Sequence, residues 1–82
     1  MTTQTEATRT AIAHRAAMRA TARAQKALIK ARTAAHHPRA TSADWIHLDA
    51  CKLEKIHAEA QQEQARAEAE RARLAHEATQ PQ

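Results

Sequence analysis

Small apolar residues recur at a regular spacing along the first half of this 82-residue chain. Intervals of four and three residues alternate without interruption through Ala13, Ala17, Ala20, Ala24, Ala27, Ala31 and Ala34. Heptad spacing of this kind puts the side chains on one face of an α-helix, where small residues let another helix approach closely. We call this set the alanine row, and it predicts that a second helix lies against the first.

Capping and breaking signals set the predicted ends of the first helix. Thr3 and Glu6 have the spacing of a capping box, in which a hydroxyl and a carboxylate satisfy each other's backbone N–H groups. The first helix breaker is Pro38, and residues before a proline are pushed out of the helical region. The first helix is therefore predicted over about 4–36.

A second helix is predicted to start almost at once. Thr41 and Asp44 form another capping-box pattern, and no glycine or proline follows until Pro81. A second helix over about 42–78, joined to the first by only a few residues, favours an antiparallel neighbour. The predicted fold is all-α: a two-helix hairpin forming a single domain over 1–82, with frayed termini at 1–3 and 79–82.

Larger apolar side chains suggest which faces pack between the two helices of the hairpin and which face a partner. Ile46, Leu53, Ala60, Ala67 and Leu74 recur every seven residues, with Ala50 and Ile56 beside them, and this face is predicted to pack on the first helix. Met18 and Ile29 project roughly 140–160° away from the alanine row, so the first helix needs a second neighbour. A homodimer forming a four-helix bundle would supply it; a different protein partner or a higher oligomer are the alternatives. The predicted interface residues are Ala13, Ala17, Met18, Ala20, Ala24, Ala27, Leu28, Ile29, Ala31, Trp45, Ile46, Leu53 and Ile56.

Composition supports a thin core. Of the residues, 43% are hydrophobic, but 23 of these 35 are alanine, so the chain has few bulky side chains to bury. Bulky residues gather near the connection, which is predicted to be the stable end, and further burial must come from a partner.

Glycine is absent, which excludes phosphate-binding glycine loops and nucleophile elbows. A single cysteine, no long apolar run and no secretory signal lead us to expect a cytoplasmic protein without a membrane span.

Charge divides the chain into two unlike halves. Residues 1–40 hold eight Lys or Arg and one acid, whereas residues 41–82 hold five bases and eight acids. Within the first helix, five cations fall in an arc of about 80°, and we call them the basic row: Arg15, Arg19, Arg23, Lys26 and Lys30. The row could contact a nucleic-acid backbone through its phosphates. Alternatively, it could be neutralised by Asp49, Glu54, Glu59 and Glu63 across the hairpin, or it could simply be a solvated face. The acid count of the second helix favours neutralisation.

Metal and catalytic sites find little support in the sequence. His47 and Cys51 have the i, i+4 spacing of two zinc ligands, with Asp44 one turn earlier, but a closed site needs four ligands. Cys51 fits equally well as a small buried hydrophobic residue. Neither a metal, nor a cofactor, nor an enzymatic activity is predicted.

The residues thus favour a non-enzymatic helical interaction protein: an adaptor, small inhibitor or assembly component that acts through oligomerisation and protein binding. The alternative is a nucleic-acid-binding hairpin that uses the basic row and recognises phosphates or duplex shape. A membrane partner is not expected, because the basic helix lacks the Leu, Phe or Trp side chains that insert into lipid.

Overall fold

The computed structural model describes residues 3–80, with side chains from Thr5 onward. It contains two helices, α1 over Thr3–Ala35 and α2 over Ser42–Thr79, and no strand within the described residues. The all-α prediction is confirmed, and the predicted ends agree with the observed ones to within one residue. The side chain of Thr3, and with it the predicted capping box to Glu6, lies outside the described part.

The connection between the helices is a short, hydrogen-bonded corner. At the end of α1 the His36 amide donates to the Arg32 carbonyl at 3.1 Å, and His36 Nδ1 lies 2.8 Å from the same oxygen. This places a histidine on the carbonyls that a helix end leaves without partners. Beyond Pro38, the Ala40 amide donates to the carbonyl of His37 at 2.9 Å. The corner therefore satisfies its own backbone groups without glycine.

The start of α2 is fixed by the predicted capping box. Thr41 has extended backbone angles, and its N–H donates to Asp44 Oδ2 at 2.7 Å. The carboxylate of Asp44 also lies in the first turn, where the positive end of the helix dipole stabilises it. The capping-box prediction for Thr41 and Asp44 is confirmed.

Contacts between the helices show that they are antiparallel. Leu28, Ala31 and Ala35 of α1 share a buried cluster with Leu48 and Cys51 of α2. Farther from the corner, the hydroxyl of Thr21 lies 3.1 Å from the Ala17 carbonyl and 3.3 Å from the Ala58 carbonyl, so it crosses to the other helix. Two long helices side by side give an elongated molecule of 65 × 18 × 13 Å.

Burial is concentrated at the corner end, as the sequence predicts. Among the described residues, the buried apolar residues are Leu28, Ala31, Ala35, Leu48 and Cys51. Toward the free ends the helices meet through alanine, threonine and histidine side chains that are only half-buried. Because few apolar contacts hold the free ends, local opening should begin there. Neither helix, within residues 3–80, combines the length and the hydropathy needed to cross a membrane.

Candidate interaction surfaces

The face of α1 that meets α2 is displaced from the alanine row. Ala17, Ala24 and Ala31 belong to both, but the second line of contacts runs through Thr21 and Leu28. The whole contact line is Ala7, Thr10, His14, Ala17, Thr21, Ala24, Leu28, Ala31 and Ala35. The contact line keeps one half of the alanine row and replaces each residue of the other half by the residue that follows it, for example Ala27 by Leu28. Because successive residues are about 100° apart around the helix, this replacement rotates the middle of the contact face by about 50°. The prediction of a close helix neighbour is confirmed. The face of α1 that this neighbour contacts was predicted wrongly, by a rotation of about 50° around the helix axis, which is half the angle between successive residues.

Leu28 explains this rotation. It is 4% exposed, whereas the neighbouring Ala27 is only partly buried against the same cluster. Burying a leucine removes far more apolar surface from water than burying an alanine, so the pair turns toward Leu28. Ala13 and Ala34, at the two ends of the alanine row, are consequently exposed, while Ala20 and Ala27 stay half-buried.

The prediction for α2 was wrong by about half a turn of the helix. Ile46 and Leu53 were expected to pack on α1, but they are 69% and 68% exposed, and Leu74 is 50% exposed. These residues lie about 180° from Leu48 and Cys51, the residues that do pack on α1. We call the period-seven set the outer apolar row: Ile46, Leu53, Ala60, Ala67 and Leu74. Ala60 is exposed and Ala67 half-buried.

Mostly small residues and long flexible ones line the contact face of α2. It runs through Asp44, Leu48, Cys51, Lys55, Ala58, Gln62, Ala65, Ala69, Ala72 and His76, again with alternating spacings of four and three. Small side chains on both helices permit a short distance between the axes, whereas a row containing Ile46 and Leu53 would hold them apart. Lys55, Gln62 and His76 place polar residues within this line of small ones. A prediction based on bulky hydrophobic residues therefore does not identify this face. A period-seven line of small residues is the signal that could have found it.

Several other large apolar side chains are left on the surface of both helices. Ile56 is 63% exposed and Ile29 is 51% exposed. Trp45 is 47% exposed, and its ring lies 5.2 Å from that of His36 at a tilt of 60°. Met18 and Ile12 are also exposed, at 47% and 57%. The prediction that α1 keeps an apolar direction without a partner in the hairpin is confirmed for Met18 and Ile29.

The basic row faces away from α2. Its five residues are exposed, and Arg19, in the middle of the arc, lies about 180° from the contact face of α1. Within the described residues, the ion pairs all join residues of α2: Lys52–Asp49, Arg66–Glu63, Arg73–Glu70 and Arg73–Glu77. Neutralisation of the basic row across the hairpin was the wrong expectation, because the row and the acids of α2 do not face each other.

The ion pairs of α2 change the titration of its glutamates. A hydrogen bond from Arg66, with Nε 3.0 Å from Glu63 Oε2, lowers the pKa of Glu63 below its ordinary value of 4.5. Arg73 lowers the pKa of Glu70 in the same way, through a contact of 2.6 Å. These groups are fully exposed, so their pairs contribute little to stability individually. Their consequence is local: Glu63, Glu70 and Glu77, in the outer half of α2, are compensated by arginines of the same helix.

His47 and Cys51, which have the spacing of two zinc ligands, lie close together, but no further ligand joins them among the described residues. His47 Nε2 lies 3.6 Å from Cys51 Sγ. No group of three or more His, Cys, Asp or Glu side chains that could hold a metal occurs among residues 3–80. Cys51 is 3% exposed and packs with Leu28 and Leu48, so its thiol fills the core as a small apolar group.

Comparison with known proteins gives no relative for this chain: no protein-family model, no curated protein and no solved structure matches it.

Proposed function

We propose that this protein is a non-enzymatic helical interaction protein that acts as an oligomer, and that a second copy of the chain covers the outer apolar row. Such a protein would serve as an adaptor, small inhibitor or assembly component. The observation that carries the proposal is the distribution of the bulky apolar side chains. Ile46, Leu53 and Ile56 are more than 60% exposed, while among the described residues the core holds two residues of that size, Leu28 and Leu48.

Exposure on this scale is unusual for a monomer that works alone. Single apolar residues on a surface are ordinary, but a continuous row along a helix marks an interaction site. From Ile46 to Leu74 the outer apolar row is about 42 Å long at 1.5 Å per residue. Covering the exposed part of each large side chain in the row is worth roughly 1–2 kcal/mol.

Two features favour a second copy as the occupant. The period of seven is the repeat by which one helix packs along another over many turns, and each copy of the chain presents the same length of it. A two-fold symmetric contact uses every residue of the row twice, so a modest gain per residue is doubled. In addition, Glu63 and Glu70 near the row are paired with Arg66 and Arg73 of their own helix, which reduces the repulsion between two acidic helices.

Light scattering coupled to size exclusion tests this proposal. The intact chain should elute with at least twice the monomer mass of 9.1 kDa and dissociate on dilution. The double substitution Ile46→Gln with Leu53→Gln should yield monomers that keep their helical circular dichroism. The matched control, Glu54→Gln with His57→Gln, changes two exposed positions beside the row and should leave the mass unaltered. A monomeric intact chain at high concentration, or equal effects of both double variants, would refute the role of the row.

A further inference from the structure

The basic row is an uncompensated line of positive charge on the edge of the hairpin opposite α2. One cation per helical turn, from Arg15 to Lys30, extends over about 22 Å at 1.5 Å per residue. The one acid of α1 is Glu6, more than two turns before Arg15. None of the five cations is ion-paired within residues 3–80, because the acids of α2 that form pairs do so with bases of α2.

We propose that the basic row binds the phosphate backbone of double-stranded nucleic acid, with little dependence on base sequence. A straight α-helix fits the major groove of a duplex, which is about 12 Å wide. Cations spread over an arc of about 80° can then reach phosphates while the helix lies along the groove. Short side chains flank the cations, Ala16 on one side of the arc and Ala22 on the other, and allow the helix to approach closely.

The residues around the row favour a duplex over a single strand. Proteins that hold single strands stack the bases on aromatic side chains. Helix α1 has no aromatic residue of the Phe, Tyr or Trp type, and Trp45 lies on α2 at the corner. Gln25, the one amide near the row, points its Oε1 into a buried position and is not available to read a base edge. Binding should therefore depend on phosphates and helix geometry.

The same face is poorly suited to an anionic membrane. Interfacial helices insert a continuous band of Leu, Phe or Trp beside their basic residues. Beside the basic row the large apolar residues are Ile12, Met18 and Ile29, which lie far apart along α1 and do not form a continuous band. The positive charge could attract this face to anionic lipid headgroups, but little apolar surface would insert into the bilayer.

The row is also independent of the proposed oligomer contact. The outer apolar row and the basic row both point away from the hairpin contact, on opposite edges of the molecule. A second copy on α2 would leave the basic row open. Failure of one proposal therefore does not decide the other.

Fluorescence anisotropy with two short duplexes of unrelated sequence tests the proposal over a range of salt. If all five cations displace counterions, a plot of the logarithm of the affinity against the logarithm of the salt concentration should have a slope near −4.5. The affinity should then fall about 500-fold between 50 and 200 mM salt. The two sequences should bind with affinities that agree within a few-fold. Failure to bind either duplex at the lowest salt would overturn the proposal, as would tighter binding to vesicles containing anionic lipid.

A matched pair of charge variants separates the row from net charge. Arg19→Gln with Lys26→Gln removes two cations of the row and should reduce the slope by about 1.8 and the low-salt affinity at least tenfold. Arg39→Gln with Lys52→Gln removes the same net charge at the corner and from α2, outside both the basic row and the outer apolar row. This control should change the affinity only a few-fold. Equal loss in the two double variants would assign binding to the overall charge and overturn the role of the row.

Discussion

Replacing one leucine of α2 at a time provides a direct test of which face of that helix meets α1. Leu48 is 1% exposed and packs with Leu28, Ala31, Ala35 and Cys51. Leucine-to-alanine changes in protein cores cost about 2–5 kcal/mol, from lost burial and from the cavity that remains. Because this cluster borders solvent and can partly collapse, we expect Leu48→Ala to lower the free energy of unfolding by about 2–3 kcal/mol.

Leu53→Ala is the matched control, because it makes the same chemical change five residues along the same helix. Leu53 is 68% exposed and gains little from the hairpin. In the monomer we therefore expect a loss of at most about 0.5 kcal/mol, within the range of ordinary surface substitutions. If a second copy covers the outer apolar row at higher concentration, as proposed, the cost of Leu53→Ala should rise there, whereas that of Leu48→Ala should be present at every concentration.

Urea unfolding followed by far-ultraviolet circular dichroism measures both effects. The first comparison belongs at a dilution where light scattering gives the monomer mass of 9.1 kDa. If Leu53→Ala costs as much as Leu48→Ala under those conditions, α2 packs on α1 through the outer apolar row and the face assignment is wrong.

Three smaller changes test other parts of the hairpin. Thr41→Ala removes a helix cap and should destabilise the protein by about 1 kcal/mol in urea unfolding, whereas an unchanged midpoint would contradict the cap. Gln25→Met replaces an amide whose Oε1 is buried without a partner in the described residues, and should raise the unfolding free energy by about 1 kcal/mol; a loss of stability would show that the oxygen is satisfied. Arg66→Gln should raise the pKa of Glu63 toward 4.5 in a carboxyl NMR titration, and an unmoved pKa would contradict the ion pair. Because pairing lowers that pKa, its small stabilising effect is present above pH 4.5 and is lost as the pH falls through the lowered value.

Local signals in the sequence were sufficient for the helices and the corner. Thr41 and Asp44 cap α2 through contacts within one turn, and Pro38 prevents α1 from continuing, so neither effect needs the rest of the molecule. The short connection then leaves the antiparallel pair as the natural arrangement. The position of the core near the corner followed from the same reasoning, because Leu28 and Leu48 stand at similar distances from the connection.

Local signals in the sequence could not predict how each helix is rotated about its own axis, and therefore which of its faces contacts the other helix. Two rows of α2 have heptad spacing, one containing Leu48 and Cys51 and the other Ile46 and Leu53. Ranking them by apolar bulk selects the second row, yet the structure packs the first against α1. The choice depends on how both surfaces fit together, since a row of small residues on α2 suits the small residues of α1.

The sequence by itself thus determined two long helices, the cap of the second, their antiparallel order and the separation of positive from negative charge. Only the tertiary structure decided that the basic row stands unpaired on one edge and the outer apolar row on the other. The physical reason is geometric: hydrogen bonds and caps act over one turn of the chain, whereas a helix face is defined only relative to its neighbour. A rotation of half a residue step in α1 and half a turn in α2 changes which residues remain exposed to meet a partner.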